Sequence, residues 1–103
     1  MAIEPYSLCS MIVGLLSVDL HLASSRSLKE KRAVIRRLKD RLRKHNIAIA
    51  EVAYHDLQQR AGLGMVAIGV DQDIVERTFA STVTEIERVE PGLLLRSEIQ
   101  WLA

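Results

Sequence analysis

Hydrophobic spacing along this chain switches between a period of two and a period near 3.6, and the order of the switches limits the fold more than any other feature. From Met11 to Leu22 the residues alternate, with Ile12, Leu16, Val18, Leu20 and Leu22 on one face and Val13, Leu15, Ser17, Asp19 and His21 on the other. That pattern is a half-buried strand with one wetter side. Ala23 to Ser27 is a loop. Ser27 with Glu30 three residues on forms a capping box, which starts a helix. The helix runs to about His45 with Leu28, Val34, Ile35, Leu38 and Leu42 as its apolar stripe, and Asn46 suits the left-handed residue that closes it. Ile47 to His55 is a second strand, and Asp56 to Gly62 the connection. Leu63 to Val70 is a third strand, where Gly64 and Gly69 suggest bulges or close packing. Asp71 or Asp73 caps a second helix whose buried side is Val75, Phe79, Val83 and Ile86. Pro91 and Gly92 punctuate the last connection. Leu93 to Leu102 is the final strand, with Leu95, Ile99 and Trp101 alternating against Leu94, Arg96, Glu98 and Gln100.

The order strand, helix, strand, strand, helix, strand, joined by right-handed crossovers, predicts an α+β fold. It is a ferredoxin-like βαββαβ sandwich: one four-stranded antiparallel sheet in the order 4-1-3-2, with both helices on one face. At 103 residues the chain suits one domain over 11–103, preceded by a flexible N-terminal tail over 1–10. The longest mostly apolar run, Met11 to Leu22, is interrupted by Ser17, Asp19 and His21 and is too short to span a bilayer, so no membrane association is expected. Cys9 is the single cysteine, which excludes an internal disulfide and zinc sites built on several thiolates, and points to a cytoplasmic protein.

The net charge of +1 conceals a strong polarisation. Between Arg26 and His45 ten Lys or Arg residues face only Glu30 and Asp40, a regional charge of +8, and the rest of the chain sums to −7. On a helical projection Lys29, Arg32, Arg36, Lys39 and Arg43 share one flank of the first helix, beside the apolar stripe. Such a row matches a phosphate backbone, and neutralising phosphates releases counterions. The alternative is pairing of the row with the acids of the second helix, Asp73, Glu76 or Glu85, within one molecule or across a dimer.

Other groupings carry less. Ser25, Arg26 and Ser27 precede a helix N-terminus, where free backbone N–H groups attract anions, but ordinary capping explains them as well. Asp19, His21, His55, Glu98 and Glu51 are candidates to meet on the uncovered sheet face, yet none sits at a recognised metal-ligand spacing. No metal site, cofactor or catalytic residue is assigned. The third strand lacks the aromatics with which RNA-recognition motifs stack bases, so RNA contact is expected from the helix. The arginine–asparagine pair of acylphosphatases is not supported, because the only asparagine, Asn46, lies at the far end of the first helix.

The stretches MIVGLLSVDLHL at Met11 to Leu22, SLKEKR at Ser27 to Arg32, AEVAYHDLQQRAGLG at Ala50 to Gly64 and SEIQWL at Ser97 to Leu102 resemble the YlxP-like family, a bacterial family of unknown function. The resemblance implies a ferredoxin-like fold. It also implies, through genes lying beside those for ribosome-binding factor A and translation initiation factor 2, a role near ribosome assembly or translation. It implies no catalytic residues. Residues 1–10 depart from the pattern, as does Gln58, where relatives carry tryptophan. The resulting expectation is a non-enzymatic RNA- or ribosome-associated protein acting through the first helix. A homodimer is expected as well, paired at the edge of the second strand with Tyr54 and the half-polar sheet face adding contact area. The alternative is a structural homodimer or interaction module that binds no nucleic acid.

Overall fold

The computed structural model describes residues 11–103. The expected tail over 1–10, with Cys9, lies outside the described residues. Strand β1 (Ile12–His21) leads to helix α1 (Leu28–Leu42), which ends in a 3-10 turn (Arg43–His45). Strands β2 (Ala48–Ala53) and β3 (Arg60–Gly69), helix α2 (Gln72–Val89) and strand β4 (Leu94–Trp101) follow. The sheet is antiparallel in the order β2-β3-β1-β4, as expected from the element order. β2 and β4 are the two edges.

Local chemistry sets the element ends. The Ser27 hydroxyl accepts from Glu30 N–H at 3.0 Å, the first half of the expected capping box, and the Glu30 carboxylate reaches back one residue beyond the cap to accept from Arg26 N–H. Asn46 has φ 58°, the left-handed closure that Asn tolerates. At α2 the choice between two aspartates is resolved: Asp71 accepts from Ile74 N–H at 2.9 Å.

Leu16, Val18, Leu20, Leu63 and Met65 from the central strands pack against Ile35, Leu38 and Leu42 of α1 and Val75, Phe79 and Ile86 of α2. Gly14 is required where β1 passes beneath α2. A Cβ there would lie 2.9 Å from Phe79 Cε2 and 3.0 Å from both Trp101 and Val75. Gly62 meets the end of β2 just as closely, since an added Cβ would lie 2.8 Å from Ala53 Cβ. The β2–β3 register slips between Glu51 and Ala53, so the irregularity falls opposite Gly62, while Gly69 serves close packing: a Cβ there would lie 3.2 Å from Val75 and 3.3 Å from Ile74. A second slip, between Asp19 and Leu20, leaves Leu95 as an extra residue in β4. Leu94 then packs against the core while Leu95 is exposed, the reverse of simple alternation.

Candidate nucleic-acid interface

Rotation of 100° per residue puts the buried residues Lys31, Ile35, Leu38 and Leu42 of α1 on one stripe. Arg41 projects on one side of this stripe, and its guanidinium lies 3.9 Å from Glu85 of α2. Lys29, Arg32, Arg36, Lys39 and Arg43 project on the other. The basic row therefore lies on the flank turned away from α2. Lys39 is half-buried and the other four are exposed.

Among the described residues, Lys29, Arg32, Arg36 and Lys39 have no carboxylate within ion-pair distance, and Arg43 has only the exposed Asp40 at 3.4 Å. The acids of α2 are engaged elsewhere. Asp73 faces Arg77 at 4.0 Å, Glu76 accepts from Gln72 Nε2 at 3.0 Å, and Glu85 lies between Arg41 and Arg88. Pairing between the two helices is confined to Arg41–Glu85. The row is thus a line of cations in water, spaced along about four turns of a rigid rod.

Lys31 stands apart from the other cations of this segment. It belongs to the basic segment, yet it is 1% exposed, inside the apolar stripe. Its ammonium donates to Tyr54 O at 2.6 Å and lies 3.4 Å from His55 O, with Glu51 Oε2 at 3.0 Å as a charge contact rather than an aligned hydrogen bond. Two carbonyl oxygens thus accept from the ammonium and the Glu51 carboxylate balances its charge. They tie the first turns of α1 to the end of β2, where Tyr54 turns the chain with φ 61°. The signal was present in the sequence: Lys31 falls between Leu38 and Leu42 on the projection, and Glu51 shares the inward parity of Ile47 and Ile49.

Glu51 consequently does not join the uncovered sheet face. There Asp19 faces Arg60 at 3.9 Å and Glu98 faces Arg96 at 3.6 Å, while His55 Nε2 is 3.1 Å from Glu51 O. The two carboxylates of that face pair off with arginines instead of converging with the histidines, and among the described residues no group of three His, Cys, Asp or Glu could hold a metal. At the start of α1, Ser25 is buried with its hydroxyl donating to Ser27 O at 3.2 Å, and Arg26 N–H is held by Glu30. The Ser25 hydroxyl and the Arg26 N–H thus have partners within the chain. Gln59 fastens this loop to the β2–β3 connection through Ala23 O and Ser25 O at 3.3 and 3.2 Å. No helix among the described residues is long and apolar enough to cross a membrane.

The model of the protein family of unknown function DUF503 matches residues 13–99, which takes in both helices, β2 and β3 whole and most of β1 and β4. The chain belongs to the DUF503 family. It is 32% identical over 84 residues to the uncharacterized protein YlxP of Bacillus subtilis (strain 168), covering 75% of this chain and 91% of that protein. Fold likeness extends beyond DUF503. An uncharacterized NIPSNAP-like domain protein from Burkholderia xenovorans superposes with a TM-score of 0.56 at 14% identity, covering 91% of this chain and 84% of that one. The de novo designed protein Foldit4 gives 0.55 at 10% identity, with 90% and 97% covered. At those identities the likeness shows that the DUF503 chain has a common α+β sandwich, and function has to be argued from its own surface.

Proposed function

We propose that this DUF503 protein is a non-enzymatic RNA-associated protein that lays the basic flank of α1 along duplex RNA of the kind a ribosomal subunit presents. The observation that carries this reading is the freedom of the row: Lys29, Arg32 and Arg36 are exposed, Lys39 is half-buried, and none of the four has a carboxylate partner among the described residues. A helix bearing uncompensated cations at spacings of three and four residues is matched to an extended polyanion. Arginine adds forked donors suited to phosphate oxygens. Base stacking is not expected, since β3 presents no aromatic side chain. Recognition is then electrostatic and weakly sequence-dependent.

The test is a titration of duplex RNA and of ribosomal subunits at two salt concentrations. With about four phosphates contacted, the log–log salt slope is expected near −3 to −4, using the duplex-DNA coefficient as an approximation. The triple variant Arg32→Gln, Arg36→Gln, Arg43→Gln is expected to flatten the slope and weaken binding while melting close to the wild type, because those positions are exposed. Undetectable binding to both targets at low salt leaves the structural homodimer as the surviving reading.

A further inference from the structure

The sheet face opposite the helices is divided in two. Its first zone is apolar: Val13 pairs across the strands with Ile68, Leu15 with Val66, and Val52 of β2 stands close by over Gly64. Val52 is 59% exposed, Ile68 55% and Val66 37%, so β-branched side chains that suit a packed sheet stand in water. The second zone holds two opposite-charge pairs, Asp19 with Arg60 and Arg96 with Glu98, and is neutral in sum.

We infer that this face packs against the same face of a second copy of the chain. The two apolar pairs lie on β1 and β3, the central strands. A two-fold axis between those strands and along them lays Val13 and Leu15 of one copy on Ile68 and Val66 of the other, so the patch is complementary to itself, as an isologous interface requires. The same operation places Asp19 at the end of the face where the second copy presents Arg60. Carboxylate then meets guanidinium, and the neutral zone carries no net repulsion. Four strands about 4.8 Å apart and roughly 25 Å long give a flat footprint of about 500 Å², which side-chain relief raises toward the ~800 Å² per partner of a stable interface. Packing by faces differs from edge pairing at β2, because it buries side chains rather than extending the sheet.

The experiment is sedimentation equilibrium of the full chain between about 1 and 50 μM, beside the variants Val66→Asp/Ile68→Asp and, as a milder second, Ile68→Lys alone. The wild type is expected at twice the chain mass. The double variant is expected at chain mass throughout, and Ile68→Lys is expected to raise the dissociation constant at least tenfold, both with an unchanged far-UV circular dichroism spectrum. If the double variant loses that spectrum, the comparison rests on Ile68→Lys, which introduces one charge at a residue already more than half exposed. A wild type that stays at chain mass overturns the inference. So does a dimer that survives the folded variants, which assigns self-association to an edge.

Discussion

Lys31 shows how one side chain decides where two elements meet. Its aliphatic stem fills the place an apolar residue would take among Ile35, Leu38 and Leu42, and its ammonium ends on acceptors from β2 and the turn after it. Taking the ammonium away while keeping the stem leaves the Glu51 carboxylate, whose side chain is only 20% exposed, without its counter-charge. Lys31→Met is expected to lower unfolding stability by about 2–4 kcal/mol in a urea titration. Adding Glu51→Leu is expected to recover most of that loss, since an apolar pair of similar volume needs no partner. A double-variant loss equal to the sum of the losses of Lys31→Met and of Glu51→Leu measured alone would mean that the two charges are uncoupled. The regional charge counts Lys31 with the other cations and says nothing of where it lies. Its position on the helical projection was the better guide, because the face a residue occupies is fixed by backbone geometry, whereas a long side chain is free to bury its stem and satisfy its tip.

Among elements, the helices and the strand order were legible because each rests on local chemistry: a period, a cap, a closing Asn. Ser27, Glu30 and Asn46 all act as their sequence context implies. The strand ends were less legible. The extra residue at Leu95 and the slip after Glu51 depend on how neighbouring strands match over distances no local pattern records. Of the candidate site, the flank holding the basic row followed from the projection. Its freedom from the acids of α2 did not, because it depends on how far apart the helices are and which acids already have partners. The two helix starts give a sharp comparison. Asp71→Ala is expected to cost about 1 kcal/mol in the same titration, the usual worth of an N-cap side chain. Asp73→Ala is expected to cost far less, its only ionic contact among the described residues being with Arg77 at 4.0 Å on the open surface. A larger loss at Asp73 would place the cap at the wrong residue.

On the scale of the whole molecule, charge is separated: the cations gather on α1 and its 3-10 turn, and the rest of the chain is acidic. With the row unpaired, its members repel one another along a single flank at about 0.2–0.5 kcal/mol per close pair. Salt screens that repulsion, so the melting temperature is expected to rise by a few degrees between about 20 and 300 mM salt in the absence of RNA. The triple glutamine variant is expected to lose most of this rise. A melting temperature that falls with salt in the wild type would indicate that attraction between the helices outweighs repulsion along α1. In the proposed face-to-face dimer each copy would turn its helices outward, leaving the two rows open on opposite sides of the assembly.

The chain's lysines, Lys29, Lys31, Lys39 and Lys44, all belong to α1 and its 3-10 turn, and Lys31 alone is sealed from solvent. Amine-directed acylation therefore acts as a clock for this corner of the molecule. Lys29, Lys39 and Lys44 take the label at rates set by local access, and any bound polyanion slows Lys29 and Lys39 first. Lys31 takes it only when the start of α1 parts from β2, so its rate reports the frequency of that opening. One time course read by mass spectrometry separates occupancy of the basic row from breathing of the core.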